Sequence, residues 1–568
     1  MGVGTRTWPA RYAAVLASAA LVAGPACPTP AMAAAPAMAA APAMAAAPAP
    51  AATGGPGTVD LAAALQARAA ALAASGAPDE LREALAAADD TDVAGGLGGH
   101  SFGVGAAHTC AATTLSDVWC WGDNNAGQLG VGSAVDSALP VRASAQGGLA
   151  GALTVAVDAG RAHTCALSLS FGAEGADVFC WGANGSGQLG DSSMTSRTRP
   201  VQVAADAQQV AVGDDHTCVL TVEATVSCWG RNDAGQLGLG GLSAAESTPQ
   251  EVPGLSDVVE VAAGADNTCA LDADGAAWCW GPDTHGQLGD GGGAGGTESS
   301  PVPVTTTGVQ GTFVRLAVGD RHVCALATSK AVYCWGDDAA GQLGNGAAGT
   351  DPSRPAVVTS GGRRFISVAA GGDSSCAIDA DLAGWCWGDN DSGQLGVGDT
   401  ADRSAPAAVD QRGITVSPIA KIVLGHDRPT LIDLDIGHAH ACGVDIDSGV
   451  HCWGANAAGQ LGSGSTTRAT RPAATALQPS PVSGVRAVAG DRTLRVSWSA
   501  PADPGVAPVR AYSVLAFAGS GSAALFDAEV CNTTGALSCT VSGLRNGRRY
   551  TVLVATQTLG GADDRPAC

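Results

Sequence analysis

The sequence predicts an all-β chain, a seven-bladed β-propeller followed by a small β-sandwich, on three observations. A Cys-Trp-Gly step followed shortly by Gly-Gln-Leu-Gly returns seven times, carrying Trp121, Trp181, Trp229, Trp280, Trp335, Trp387 and Trp453 at intervals of 60, 48, 51, 55, 52 and 66 residues. Periods near 50 residues belong to solenoids and propellers. Each unit also divides into four short apolar runs bounded by Gly, Asp and Asn, and after Pro479 this pattern stops and another begins.

In chain order, residues 1–33 read as a secretion signal. Arg6 and Arg11 precede an apolar run from Tyr12 to Gly24, and Ala31-Met32-Ala33 offers a small-residue cleavage site. The run is short for a membrane span, and no other stretch of about 20 uninterrupted apolar residues occurs, so no transmembrane segment is expected. Gly24-Pro25-Ala26 is a poor match to the signal that precedes a lipid-modified cysteine, which argues against lipoprotein anchoring at Cys27. Residues 34–93 read as an Ala/Pro-rich low-complexity tether followed by a short helical spacer beginning near Pro78-Asp79-Glu80.

The repeat is plainest in its fourth copy, Val261 to Val304. The runs Val261-Ala262-Ala263, Thr268-Cys269-Ala270-Leu271, Ala277-Trp278-Cys279-Trp280 and Ser300-Pro301-Val302-Pro303-Val304 read as four antiparallel strands. Prolines in the last run suit an outer edge strand, which need not donate every amide hydrogen. With a small-residue pair, Gly, two residues and His ahead of the second strand, as in Leu316-Ala317-Val318-Gly319-Asp320-Arg321-His322 and, with Ser in place of the His, from Val368-Ala369-Ala370-Gly371, the unit resembles the regulator of chromosome condensation repeat over residues 94–477. The resemblance implies the propeller fold. It leaves function open, because that fold hosts exchange factors, enzyme inhibitors and interaction platforms.

Fourteen of the eighteen cysteines fall one pair to a repeat: Cys110 with Cys120, Cys165 with Cys180, Cys218 with Cys228, Cys269 with Cys279, Cys324 with Cys334, Cys376 with Cys386, and Cys442 with Cys452. A separation of ten puts both residues opposite each other on a hairpin, within disulfide reach. Zinc competes, since His108, His163, His216, His322 and His440 each stand two residues before a cysteine. It fails because His and two Cys supply only three ligands, no fourth recurs, and two units carry Asn267 and Ser374 in place of His. An exported chain favours disulfides.

The tryptophan after the second cysteine recurs in all seven units, which assigns it to packing between units rather than to sugar stacking. Gln128, Gln188, Gln236, Gln287, Gln342, Gln394 and Gln460 read as turn-fixing hydrogen bonders. Asp-rich turns such as Asp272-Ala273-Asp274-Gly275 and Asp389-Asn390-Asp391 lack the spacing of a calcium loop, so calcium binding is unsupported and no metal or other cofactor is expected. No nucleophile elbow, phosphate loop or His-Glu-x-x-His occurs, and the chain is read as not an enzyme.

Two places break the repeat spacing. Repeat two has a longer hairpin, Ser168 to Asp177, and the segment Gly413 to Leu431 before repeat seven adds Ile422, Val423, Leu424, His426 and Arg428, which make it the candidate interface. The run Arg471 to Thr475 aligns with outer strands, while repeat one opens at Phe102 with no such run before it, so the last strand is expected to close the ring by joining the first blade. From Pro479 to Cys568 the chain resembles a fibronectin type III domain, incomplete if no last strand forms, with Trp498 as core tryptophan, Leu544 and Tyr550 as a tyrosine corner, and Cys531 with Cys539 bridging a local hairpin.

The formal net charge is −23, while residues from Pro479 onward carry eight Arg against six acids, so the acidity lies in the preceding part. Nucleic-acid binding needs clustered basic residues and is excluded. The reading is a secreted or cell-surface, non-enzymatic protein-binding platform with a protein partner. A secreted enzyme inhibitor is the first alternative, and a guanine-nucleotide exchange factor, implied only by the resemblance, is the second.

Overall fold

The computed structural model describes residues 102–112, 117–143, 147–149, 152–169, 175–292, 295–414, 429–445, 449–477, 482–502, 505–506, 509–518 and 529–558. The signal, tether and spacer expected over residues 1–93 lie outside them, as do Ile422, Val423, Leu424, His426, Arg428 and the end of the chain at Cys568.

The architecture is all-β, a multi-bladed propeller-like succession of sheets with a small separate β-sheet domain. Repeats one, four, five, six and seven each form a four-stranded sheet in simple sequence order. In repeat four the strands are Val258–Ala263, Thr268–Asp272, Ala277–Pro282 and Thr297–Pro303, and the last, with Pro301 and Pro303, pairs on one side only. The sheet bends there because the register slips between Cys279 and Gly281; Gly281 sits at φ +112°, a conformation open to glycine.

Repeats two and three instead share one seven-stranded sheet, because the single strand Arg197–Val212 serves both. Its first half pairs with Ala176–Gly182, its second with His216–Thr221, and Ala207 pairs with Ala176 on one side and Thr221 on the other. The cause is in the spacing: 48 residues from Trp181 to Trp229 is the shortest interval in the series and leaves no room for a loop. The inserted residues of repeat two lengthen its central strands, His163–Leu169 and Ala176–Gly182, to seven residues each, with Ser168 opposite Asp177.

The expected strand exchange at the end of the series does not occur. Ala469–Ala474 pairs with Val450–Gly454 of its own repeat, and repeat one already has a full sheet, ending with Ser137–Arg142. The first and last repeats meet instead by packing and isolated hydrogen bonds: Phe102, Val104 and Trp121 pack with Cys442, Cys452 and Leu461, the Val104 amide donates to Asp435 at 3.1 Å, and the Gly464 amide donates to the Ala138 carbonyl at 2.8 Å.

Residues 482–558 form two three-stranded sheets. The strands Ser483–Gly490, Thr493–Ser499 and Ser538–Ser542 make one, and Glu529–Thr533, Val509–Phe517 and Thr551–Thr558 make the other. Val496, Trp498, Tyr512, Val514 and Val541 are buried together, with Trp498 and Tyr512 ring centres 5.2 Å apart. The Tyr550 hydroxyl accepts from the Arg545 amide at 2.9 Å beside buried Leu544, the bond of a tyrosine corner. Cys531 and Cys539 do not bridge a hairpin. They lie in different sheets, so their disulfide joins the two layers, and its Cα separation of 6.2 Å exceeds the 4.0–4.1 Å of the seven repeat disulfides.

Candidate functional site

The repeated residues build one interface seven times. The indole nitrogen of every repeat tryptophan donates to the main-chain carbonyl of the glutamine in the preceding repeat, at 2.8 Å from Trp181 to Gln128 and 3.0 Å from Trp335 to Gln287. Trp121 of repeat one reaches Gln460 of repeat seven at 2.8 Å. All seven indoles are fully buried. Each glutamine side chain meanwhile accepts from the amide two residues before it, as Gln128 does from Ala126 at 2.9 Å, and holds the turn. The same glutamine carbonyl therefore ties one repeat to the next, a role its recurrence in sequence did not disclose.

The histidines complete this interface. His108 Nε2 lies 2.9 Å from Thr164 Oγ1 of the next repeat, and that hydroxyl donates to the Gln128 carbonyl at 3.0 Å. Because the single hydroxyl proton goes to the carbonyl, Nε2 carries the imidazole proton and Nδ1 is bare. His163 with Thr217, His216 with Thr268, His322 with Ser375 and His440 with Thr109 repeat the arrangement at 2.8–3.0 Å, and each of these Nδ1 atoms is buried without a hydrogen bond. Burial lowers these five histidines to about 3 or 4, so they stand neutral.

Two repeats lack the histidine, and there the partner is missing too. Asn267 is followed in the next repeat by Val323, and Ser374 by Ala441, where the other repeats have Thr or Ser. An unmatched buried hydroxyl or imidazole is destabilising, so the two losses come together.

The seven repeat cysteine pairs face each other directly across the second and third strands, Cys110 opposite Cys120 and Cys269 opposite Cys279, and are bonded. The sequence-singled cysteines and histidines are thus brought together as interior fastenings. They form no reactive cluster.

The accessible chemistry lies where the first strands converge. A cavity of about 120 Å³ is lined by the first strand of every repeat, from Val104 and Asp158 through Glu260 to Asp435. At one mouth His438 of repeat seven reaches Asp214 of repeat three at 3.0 Å and Asp320 of repeat five at 3.7 Å. The hydrogen bond to Asp214 raises His438 to about 9, while burial raises Asp320 to about 6. Burial is the largest single influence on Asp214 and opposes its ionisation, but the His438 hydrogen bond and the charges of His438 and Arg161 together outweigh it and leave Asp214 lowered. Arg161 with Asp215, and Arg231 and Arg321 with Asp266 and Asp373, continue this charged rim. Its residues escaped the sequence reading, yet a signal existed. Two positions before the repeat histidine the chain has Ala106, Arg161, Asp214, Ala265, Asp320, Gly372 and His438, a variable charged position inside a fixed frame.

The flanks of the candidate interface segment are buried: Ile414 and Leu431 belong to one core cluster with Trp453. The segment that can be exchanged without opening the core is therefore narrower than Gly413 to Leu431.

The model of the RCC1-like domain matches residues 177–498, RCC1 repeat models match residues 116–167 and 100–128, and the fibronectin type III model matches residues 479–566. The chain is 32% identical over 375 residues to the ultraviolet-B receptor UVR8 of Arabidopsis thaliana, covering 63% of this chain and 78% of that one. It is 32% identical to the mitochondrial RCC1 domain-containing protein RUG3 of the same plant, covering 50% of this chain and 64% of the relative. It is 30% identical to the human E3 ubiquitin-protein ligase HERC2, covering 45% of this chain but only 5% of the relative. Among solved structures, human WBSCR16 matches at a TM-score of 0.56 with 20% identity, covering 65% of this chain and 96% of that one. Yeast RCC1 (Prp20), solved with Kap60, matches at 0.53 with 21% identity, covering 65% and 86%.

Proposed function

The chain belongs to the RCC1-like domain family, and we propose that within it this protein is an exported protein-binding platform whose seven repeats, over residues 94–477, close into one ring. Its modules are of non-catalytic, scaffolding kinds. Closure is supported by the bond from Trp121 to Gln460, which repeats between the first and last units what every other pair of neighbours makes, and by the bond from Thr109 to His440, which repeats what four of those pairs make.

The observation that carries export is the cross-strand disulfide in each of seven repeats. Such bonds persist in oxidising compartments and are rare in a reducing cytosol. The partner is a protein met at the charged mouth around His438, with residues 415–428 as a second contact through Ile422, Val423, Leu424, His426 and Arg428.

The test starts from chain produced with its own N-terminal leader. Protein recovered outside the cytoplasm should show none of its sixteen paired cysteines open to alkylation before reduction. Retention inside the cell with free thiols would refute export. A partner captured with the folded chain should bind about tenfold more weakly, 1.4 kcal/mol, when residues 415–428 are replaced by a Gly-Ser link. Unchanged affinity removes that segment from the interface.

A further inference from the structure

Within the repeated frame, one residue breaks the pattern at a place where it meets two carboxylates. Two positions before the turn glutamine, six repeats carry Ala126, Ser186, Ala234, Ala340, Ser392 and Ala458, whereas repeat four carries His285. This turn packs on the outer loop of the next repeat: the neighbouring glycine, Gly286, lies against Ser353. His285 therefore faces Asp337 and Asp351 of repeat five. Its Nδ1 is 3.1 Å from Asp351 Oδ2 and 4.0 Å from Asp337 Oδ1, and the three donor atoms all lie within 4.8 Å of one another.

Asp337 also departs from its counterparts. Asp123 and Asp389 receive the side-chain amide of their own Gln128 and Gln394 at 2.7 Å. In repeat five Gln342 turns instead to Asp373 at 3.4 Å. Asp337 is left nearly fully buried, with Oδ1 accepting from the Ala339 amide at 3.0 Å and Oδ2 against Arg321 at 2.9 Å. Asp351 Oδ1 accepts from the Asp338 amide at 3.2 Å. Each carboxylate oxygen has two lone pairs, so the oxygens that face His285 retain acceptor capacity. The guanidinium and the amides hold the carboxylates in place, as outer partners do around metal ligands.

We propose that His285, Asp337 and Asp351 form a binding site for a divalent transition cation of the Zn²⁺ class that fastens repeat four to repeat five, with water filling the remaining positions. One imidazole nitrogen with two carboxylate oxygens suits Zn²⁺ or Co²⁺, whereas Ca²⁺ and Mg²⁺ take sets of oxygens. Ligand atoms around a tetrahedral Zn²⁺ stand about 3.4 Å apart at its usual bond lengths, against 3.1 and 4.0 Å from His285 Nδ1 to the two carboxylates. This inference is independent of export and of any protein partner.

The test uses the full chain with its disulfides intact, stripped with a chelator, then titrated calorimetrically with Zn²⁺ and spectroscopically with Co²⁺. One ion per chain should bind, and Zn²⁺ should raise the thermal midpoint. His285→Ala should weaken Zn²⁺ binding at least about tenfold and leave the midpoint in chelator unchanged, since sister repeats carry Ala at that position. Asp402→Asn, in the sister loop of repeat six that faces no histidine, should bind as the parent does. Absence of binding at roughly millimolar Zn²⁺, parent-like affinity in His285→Ala, or an equal rise of the midpoint with Ca²⁺ would overturn the site.

Discussion

At the scale of the residue, the matched histidine and hydroxyl make a measurable unit. Thr217→Val leaves the proton on His163 Nε2 without its acceptor, and a buried orphan of this kind costs about 1–3 kcal/mol. Adding His163→Asn reproduces the Asn267 and Val323 combination that repeats four and five already tolerate. Urea unfolding of both single variants and the double should show the second change restoring at least half of the loss; additive losses would mean the pair is not coupled. The same residues set the acid limit. Burial holds five histidines at about 3 or 4 in the folded chain, against about 6.5 when unfolded. The stability they contribute is full above pH 6.5 and falls as pH drops towards 4, by up to about 1.4 kcal/mol per pH unit for each histidine. His438 acts oppositely: raised to about 9, it contributes below pH 6.5 and loses that contribution as pH rises through 9. Denaturation midpoints at pH 7, 5 and 9 should therefore fall on both sides, and more steeply on the acid side.

At the scale of the element, each repeat is a hairpin locked at its centre with an outer strand attached. Replacing Cys269 and Cys279 together by Ala removes one loop of ten residues and should cost up to about 3 kcal/mol by loop-closure entropy, read as a lower chemical midpoint at unchanged m-value. A much smaller loss would show that the neighbouring strands already fix the hairpin. Much of this level was legible beforehand. Cysteine spacing and strand alternation are local, so the fourth repeat could be written strand by strand from Val261 to Val304. What depends on distant partners was not. The strand Arg197–Val212 reads as an outer strand with a connector, and its double service follows only from how little chain remains before His216. Cys531 and Cys539 have hairpin-like spacing, yet the chain passes from one layer to the other between them. His438 carries no local mark of its partner Asp214, since they are 224 residues apart.

At the scale of the whole molecule, the meeting of the first and last repeats is built like the other interfaces, with no exchanged strand. Trp121→Ala, at that meeting, should therefore destabilise the chain as much as Trp335→Ala in the middle, each by about 3–5 kcal/mol, in thermal or urea unfolding. A markedly milder Trp121→Ala would mean that the first and last repeats are not held as the rest are, and would count against a closed ring.

The pairing of His with a hydroxyl in the following repeat also acts as a rule of succession. Repeats one to three carry both halves, Thr109 with His108, Thr164 with His163 and Thr217 with His216, so a tandem copy of any of them would accept itself as neighbour. Repeats five and seven carry His322 and His440 but Val323 and Ala441, and a tandem copy would bury an imidazole against a methyl group. Lineages that gain or lose repeats should then do so near the beginning of the array, and shuffled versions made in the laboratory should fold only where each donor still precedes its acceptor.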